Sequence, residues 1–313
     1  MKLSDLIAGY VAFRQSMGYK FTSCNDRLQA FCRAVGSDVD AQDVTVEQVL
    51  SYLGSPTTSY WHHKYSTLNV FYRYAISRGH VSSSPLPAIV PKLPPDFLPY
   101  IYSVNEVRCL LDATASYRKT HLLLEPYTFR AIILILYGAG LRISEALSLR
   151  MSAVDFPEAV LLIRETKFYK SRLLPIGSHL KEALMAYATA RREAGHSELP
   201  ESPFFIGRKG SHLSIHTVQR SFRQLRKHAG IHRSDGARYQ PRLHDFRHAF
   251  AGNRVVSWYK AGSDVQRLLP KLSVYLGHIS LSSTQRYLTM TPALLQEASR
   301  RFEQYAMGGG AYE

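Results

Sequence analysis

The chain has 313 residues, of which 45% are aliphatic or aromatic, and it carries a formal net charge of +15. This length and apolar content exclude a disordered polar tail and allow two domains, each with its own core. No apolar run reaches the length of about 18 residues that a membrane helix needs, and the N-terminus lacks the basic start and apolar block of a signal peptide. Three cysteines without metal-ligand spacing are interpreted as free thiols in a reducing cytoplasm.

The positive charge is unevenly distributed along the chain. Residues 1–92 hold 9 Lys or Arg against 6 Asp or Glu, which leaves +3, and residues 93–313 hold 30 against 18, which leaves +12. Such an excess favours a polyanionic partner through attraction and counterion release. From charge alone, a nucleic-acid-binding protein and a basic protein without a specific partner are equally compatible with the sequence.

The first 80 residues predict four helices, because apolar residues recur at three- and four-residue spacing. In the third of these helices Val46, Val49, Leu50 and Leu53 form such a stripe behind Thr45, a predicted N-cap. The fourth helix carries basic side chains opposite its apolar face. Each of these could be an ordinary solvated charge, but as a set they suit contact with a DNA backbone.

A change in composition marks the domain boundary. Residues 82–99 contain six prolines, which exclude a continuous helix and predict a semi-rigid extended linker. We therefore predict an N-terminal four-helix domain at 1–86, a linker at 87–100 and a second domain at 101–313.

The second domain is predicted to be mostly helical with one small sheet, so the fold class of the whole chain is mainly α. Ser103 and Glu106 form a predicted capping box, and an apolar helix follows around Phe129–Tyr137. Val160–Ile163 and Arg172–Ile176 are predicted as short strands. Further helices are predicted near Ser144 and at 178–194, 214–229, 244–258, 263–269 and 292–306.

Candidate catalytic side chains follow one another through the second domain. They are Arg142, Lys167, His244, Arg247, His278 and Tyr287. The positions of His244 and Arg247, three residues apart, place both on one helix face, where they can point at a single anion. Taken singly, each of the six has an ordinary structural explanation, such as packing for a tyrosine or solvation for a lysine at a hairpin tip.

The combination resembles the tyrosine recombinase, or phage integrase, family over about residues 100–290. The supporting motifs are GAGLRISEAL, a hairpin lysine followed by R-x-x-P, LHDFRHAFA, LGH, and a tyrosine nine residues after that histidine. The longer segment before LGH is similar to that of recombinases from transposon-like elements. The resemblance implies an N-terminal core-binding domain that clamps DNA and a mixed α+β catalytic domain.

The resemblance also implies roles for the candidate residues. Tyr287 would attack a backbone phosphate and form a 3′-phosphotyrosine, Arg142, Arg247 and His278 would stabilise that phosphate, and Lys167 would protonate the leaving 5′ oxygen. These residue types fit the chemistry, because paired N–H donors of arginine match the equatorial oxygens on which charge develops.

Two further residues are assigned supporting roles. Glu145 matches an acidic position that helps to orient the family's site, and His244 is the candidate to help remove the tyrosine proton. The sequence has no carboxylate cluster typical of a two-metal site, and this mechanism needs no metal, cofactor or ATP.

The implied activity is site-specific recombination of double-stranded DNA by four protomers through a Holliday junction. The chain would act alone or with a related recombinase, in the cytoplasm at the bacterial nucleoid, in integration, excision or transposition. Two alternatives stay open here: a type IB topoisomerase-like enzyme and a catalytically silent DNA-binding accessory protein. The candidate DNA contacts are His63, Lys64, Arg73, Lys170, Arg172, Arg220, Arg223 and Lys227, with Arg226 on the same helix face as the last three.

Overall fold

A computed structural model gives the fold of the chain. It describes residues 1–56, 58–92, 99–116, 124–164, 171–237 and 239–278, together with residues 284, 296 and 299. The chain divides into two compact units, Met1–Asp96 and Phe97–Glu313.

The first unit contains the four predicted helices. They are α1 (Leu3–Ser16), α2 (Thr22–Val35), α3 (Val46–Leu53) and α4 (Ser59–Ser77). The predicted cap of α3 is confirmed: Thr45 Oγ1 accepts a hydrogen bond from the Gln48 backbone at 3.3 Å, and the Gln48 side chain accepts one from the Thr45 backbone at 2.9 Å. This reciprocal pair fixes the start of a helix too short to be stable alone.

Fewer apolar residues of α3 are buried in the core of the first unit than the sequence pattern predicts. Val49 and Leu53 of α3 are buried, whereas Val46 and Leu50 are each 46% exposed. An eight-residue helix presents little more than one face to its neighbours, and the i, i+4 pair 49 and 53 occupies that face. Residues 82–92 form no helix or strand, and residues 93–98 of the proline-rich stretch lie outside the described residues.

Seven helices are described in the second unit. They are α5 (Val104–Ser116), α6 (Pro126–Ala139), α7 (Ile143–Leu147), α8 (Ser178–Glu193), α9 (Ile215–His228), α10 (Asp245–Lys260) and α11 (Val265–Leu276). The predicted box at α5 is confirmed, since Ser103 Oγ accepts from the Glu106 backbone at 3.2 Å and the Glu106 carboxylate accepts from the Ser103 backbone at 2.8 Å. Helix α6 is apolar on most sides and lies in the core against α5, α8 and α10.

A three-stranded antiparallel sheet completes the second unit. Strands β1 (Val154–Asp155), β2 (Val160–Ile163) and β3 (Arg172–Pro175) are ordered β1-β2-β3, and Ile163 pairs with Arg172 at the end of the β2–β3 ladder. The two predicted strands are thus confirmed, while β1, with two residues, is too short to show a sequence period. Residues 165–170 of the β2–β3 connection, which include Lys167 and Lys170, lie outside the described residues.

The prediction that the helix after residue 263 ends at 269 is wrong. Helix α11 continues through Pro270 to Leu276. Proline removes one N–H from the helix, but the apolar face formed by Leu269, Leu272 and Leu276 is buried on the rest of the unit and keeps the segment helical. The helix predicted at 292–306 falls outside the described residues except for positions 296 and 299.

The predicted fold class, mainly α with a small β-sheet, is confirmed. No helix among the described residues combines the length and the hydropathy that crossing a membrane would require.

Candidate active site

Arg142 is placed by a tight turn between α6 and α7. Gly140 ends α6 with φ +60°, and a Cβ at this position would lie 2.5 Å from Phe250 Cδ1, so the turn requires glycine for both its dihedral and its space. The Arg142 backbone then donates to Glu145 Oε2 at 3.1 Å. The turn therefore holds an arginine and a glutamate side by side at the start of α7.

Glu145 is the centre of a cluster of guanidiniums. Its side chain is 7% exposed and accepts hydrogen bonds from Arg142 Nη1 at 2.7 Å and from Arg172 Nη1 and Nη2 at 3.2 and 3.0 Å. Arg247 Nη1 lies 4.0 Å from the same carboxylate. Among the described residues, three positively charged side chains therefore share the single Glu145 carboxylate.

The cluster keeps Glu145 ionised despite its burial. Desolvation acts to raise the pKa of this carboxyl, but the hydrogen bonds and charges of Arg172 and Arg142 outweigh it and hold the pKa below its ordinary value. The carboxylate therefore fixes the arginines without cancelling their combined charge.

The C-terminal end of α11 positions His278. Gly277 has φ +67°, its N–H donates to Val274 O at 2.9 Å, and the His278 N–H donates to Ser273 O at 2.9 Å, which together form a Schellman motif. A Cβ on Gly277 would lie 2.7 Å from Arg172 Nη1. Glycine is therefore needed both for the turn and for the close approach of an arginine.

The last carbonyls of this helix end are bound by the clustered guanidiniums. Tyr275 O accepts from Arg172 Nε at 2.9 Å, Leu276 O from Arg247 Nη2, and Gly277 O from Arg142 Nη2 at 3.1 Å. A helix C-terminus leaves its final carbonyls without helical partners and carries partial negative charge, so cations are stabilising there. The three arginines thus fasten the turn that carries His278.

Arg247 also links α10 to the turn after α6. Its side chain is 1% exposed, and its Nη1 donates to Gly140 O at 2.7 Å. A cation buried this deeply acts over several ångströms with little screening. Arg247 therefore contributes charge to the site and holds α6, α10 and α11 together.

Both candidate histidines have lowered pKa values. Burial, and then the charges of Arg247 and Arg142, lower the pKa of His278 to about 4. Its Nδ1 lies 2.8 Å from Thr284 Oγ1. Desolvation by the surrounding protein and the charge of Arg247 also lower the pKa of His244, although its ring remains in contact with solvent. At neutral pH both imidazoles are uncharged, so each has one nitrogen that can donate and one that can accept.

The start of α10 fixes the position of His244. Asp245, 1% exposed, accepts a hydrogen bond from the Arg242 backbone at 2.7 Å, and the ring of Phe246 stacks on Tyr102 at 4.4 Å between centroids. Burial raises the pKa of Asp245 against the opposing effect of Arg242. Hydrogen bonds and packing on both sides of His244 thus hold its backbone in place.

The structure brings four of the six candidate catalytic residues together, Arg142, His244, Arg247 and His278, along with Glu145. Lys167 and Tyr287 lie outside the described residues. Within the described ranges, no group of three or more His, Cys, Asp or Glu side chains is arranged to hold a metal ion.

The candidate DNA contacts of the first unit are of two kinds. His63 and Arg73 are exposed on α4. Lys64 instead donates from Nζ to Tyr52 O at 2.6 Å and lies 3.5 Å from Leu53 O, at the C-terminal end of α3. Its charge is used to cap that helix.

Helix α9 presents a smaller basic face than its sequence predicts. Arg220, Arg223 and Lys227 are exposed at i, i+3 and i+7 spacing. Arg226, expected on the same face, is 6% exposed and donates to Ile231 O at 3.1 Å and to Gln240 Oε1 at 2.9 Å. It ties the end of α9 to the following loop.

The role of Arg172 was missed by the sequence analysis, which placed it among the DNA contacts. Its guanidinium is occupied by Glu145 and Tyr275 inside the cluster, which does not fit a contact with the DNA backbone. Residues two apart in a strand share a face, so Arg172 lies on the same face as Leu174, which is buried in the structure. The sequence alone did not show this, because Leu173 on the opposite face is equally apolar.

An excess of guanidinium charge beside two neutral imidazoles suits the phosphodiester of a nucleic acid, so the second unit has the features of an enzyme that acts on phosphodiesters. The sequence model of the phage integrase family matches residues 103–293, and the chain belongs to this family. It is a tyrosine recombinase, an enzyme that cleaves and rejoins DNA strands. The resemblance seen in the motifs is thereby confirmed, and the topoisomerase-like and accessory alternatives are not favoured.

Relatives match over most of the chain. It is 34% identical to the protein named integrase/recombinase y4rB of Sinorhizobium fredii (strain NBRC 101917 / NGR234), over 94% of this chain and 95% of the relative. It is 30% identical to the tyrosine recombinase XerC of Thermodesulfovibrio yellowstonii (strain ATCC 51303 / DSM 11347 / YP87), over 77% and 73%.

Two solved structures support the fold. The integrase of transposon Tn1549 in complex with a circular intermediate DNA has a TM-score of 0.71 at 16% identity, covering 97% of this chain and 99% of that chain. A lambda integrase tetramer bound to a Holliday junction has a TM-score of 0.61 at 19% identity, covering 90% and 78%.

Proposed function

We propose that this chain is a site-specific recombinase in which Tyr287 attacks a DNA phosphate bound by Arg142, Arg247 and His278. The observation that carries the proposal is the charge of the cluster around Glu145, where three guanidiniums share one carboxylate. Among the described residues, guanidiniums outnumber carboxylates in this partly buried cluster, and such an excess of positive charge favours an anion. A backbone phosphate provides that anion and presents the oxygens on which charge increases during attack.

The chemistry proceeds in two balanced steps. In cleavage, a bond forms between Tyr287 Oη and phosphorus while the bond from phosphorus to the 5′ oxygen breaks. His244 takes the phenol proton, and Lys167 gives a proton to the leaving oxygen. In rejoining, the oxygen of a 5′ hydroxyl from another strand forms a bond to phosphorus and passes its proton to Lys167, while the bond from phosphorus to Tyr287 Oη breaks and His244 returns a proton to the tyrosine. The phosphotyrosine conserves the energy of the original bond, so no ATP is needed.

The neutral state of the two histidines at pH 7 is compatible with their proposed roles. A general base must be unprotonated before it can accept a proton, and His244 is neutral at pH 7. Neutral His278 can donate one hydrogen bond to a phosphate oxygen, and its Nδ1 lies 2.8 Å from Thr284 Oγ1, a contact that orients the ring. Preorganised donors of this kind contribute on the order of 3 kcal/mol each to transition-state stabilisation.

The proposed substrate is double-stranded DNA, exchanged by four protomers through a Holliday junction. Support comes from the lambda integrase tetramer, which was solved bound to such a junction. We assign DNA clamping to residues 1–86, with His63 and Arg73 as backbone contacts, and a second contact to the exposed face of α9. The biological setting is integration, excision or transposition, in the cytoplasm at the bacterial nucleoid.

The test is covalent capture followed by strand exchange. Wild-type protein is incubated with nicked DNA carrying a recombination site, and covalent protein–DNA complexes are separated under denaturing conditions. Capture is expected for the wild type and for Tyr239→Phe, which is a matched control in the same unit. Tyr287→Phe should bind DNA but form no covalent complex. Two differently marked duplexes should then yield recombinant products. Relaxation of supercoiled DNA without exchange would support a topoisomerase instead, and capture by Tyr287→Phe would identify another nucleophile.

A further inference from the structure

Arg172 makes contacts to two separate parts of the site. It is the first residue of β3, and its side chain is 12% exposed. The Nη1 and Nη2 atoms form a fork on the Glu145 carboxylate at 3.2 and 3.0 Å. On the other edge of the same guanidinium group, Nε donates to Tyr275 O at 2.9 Å. One side chain therefore joins the sheet to α7 and to the end of α11.

Each of these contacts leads to a residue with a proposed role at the phosphate. Glu145 accepts from Arg142 Nη1 at 2.7 Å, so the fork of Arg172 fixes the carboxylate that orients Arg142. Tyr275 precedes His278 by three residues, and the turn between them includes Gly277, where a Cβ would lie 2.7 Å from Arg172 Nη1. The position of His278 thus depends on contacts that Arg172 makes with the helix end.

We propose that Arg172 is a positioning residue for strand cleavage, which holds His278 and Arg142 in place for the scissile phosphate without contacting DNA. This proposal rests on the function proposed above. The fork and the third contact require a planar guanidinium with donors on different edges. A lysine has all its donors on one nitrogen and cannot span the Glu145 carboxylate and Tyr275 O together.

The first experiment separates positioning from DNA binding. Covalent capture is measured in a single turnover with enzyme in excess, and the dissociation constant for DNA is measured separately. Misplacing a catalytic group by about 1 Å lowers the rate by roughly 10²-fold, so Arg172→Lys and Arg172→Ala should slow capture by about that factor at saturating DNA. The dissociation constant should change little. Arg192→Ala, which removes an exposed arginine from α8, is the matched control and should behave as wild type.

A double-mutant cycle then tests whether Arg172 acts through His278. If it does, adding Arg172→Lys to His278→Ala should cost much less than Arg172→Lys costs in the wild-type background, because the group being positioned is already gone. A general loss of folding would be expected to slow both backgrounds equally. Thermal unfolding is followed for every variant, and Arg172→Lys, which keeps the charge, is used alone if Arg172→Ala is unfolded at the assay temperature.

Three results would overturn the proposal. A folded Arg172→Lys variant with a wild-type capture rate would show that the fork is unnecessary. Equal losses in the two backgrounds would show that Arg172 does not act through His278. Weaker DNA binding with an unchanged saturated rate would make Arg172 a DNA contact. Failure of the proposed function gives a different result, namely capture by wild type that persists in Tyr287→Phe.

Discussion

Replacing Gly277 by alanine tests the packing of the site, and Gly230→Ala serves as a control with the same unfavourable backbone conformation. Gly277 and Gly230 both follow a helix with left-handed dihedrals, at φ +67° and +68°. An added Cβ at Gly230 meets nothing within 4 Å, whereas at Gly277 it would lie 2.7 Å from Arg172 Nη1 and 3.0 Å from its Cζ. The two substitutions therefore share the dihedral strain and differ in the displacement of one guanidinium.

The magnitudes follow from these distances. A left-handed conformation costs a residue with a Cβ about 1 kcal/mol, so Gly230→Ala should lower the free energy of unfolding by about that amount. Displacing Arg172 weakens charged hydrogen bonds worth about 2 kcal/mol, so Gly277→Ala should lose about 3 kcal/mol in total. Only Gly277→Ala should also slow covalent capture, because it moves the turn that carries His278.

Urea denaturation of the full chain measures the stabilities, and capture at saturating DNA measures the chemistry. Equal destabilisation by the two substitutions would refute the packing of Arg172 against this turn. Equal capture rates would refute the link between that packing and His278.

Three further predictions concern the same unit. Glu145→Gln should lower the free energy of unfolding at pH 7 by about 3 kcal/mol, because it removes one partner from a largely buried ion cluster. Since the folded-state pKa of Glu145 is lowered, the difference in stability between this variant and the wild type should shrink as the pH falls through that pKa. Urea denaturation measures the difference, and a difference that stays constant with pH would contradict the prediction. The pKa of His278 falls from 6.5 to about 4 on folding, so the unfolded chain binds more protons than the folded chain between these pH values. The stability of the protein should therefore decline as the pH falls across this window. The melting temperature of His278→Asn should depend less on pH than that of the wild type, and an unaltered pH dependence would contradict the assignment. Pro270→Ala should restore a hydrogen bond to Gln266 O in α11 and raise the free energy of unfolding by about 1 kcal/mol. If urea denaturation shows no gain in stability over the wild type, the proline fits its helix without cost.

The sequence predicted the helices well where side-chain periodicity and caps coincided. Thr45 with Gln48 and Ser103 with Glu106 sit where the hydrogen bonds confirm a helix start. Local signals of this kind depend on residues three or four apart, which a sequence displays directly. The end of α11 was placed too early because Pro270 is a strong local signal, and only tertiary burial of Leu272 and Leu276 shows that it is overridden.

The candidate site was predictable as a set of residues but not as a network. The order of Arg142, His244, Arg247 and His278 is visible in the sequence, and the structure brings these residues together. The partners of Arg172 are 27 and 103 residues away along the chain, so no local pattern reports them.

The same limitation explains why some basic residues were expected at the surface. Lys64 is used for capping and Arg226 is buried. Each of the two side chains donates to a backbone carbonyl, and the sequence does not show which carbonyls lie within reach of a side chain.

In the proposed reaction the phenol oxygen of Tyr287 becomes joined to a DNA 3′-phosphate. The most direct measurement is mass spectrometry of the peptide that carries a nucleotide after covalent capture and digestion with protease and nuclease. We expect a single modified peptide that contains Tyr287 linked to a 3′-phosphate, with a free 5′ hydroxyl on the released strand. A nucleotide on another residue, or a linkage through a 5′-phosphate, would contradict it.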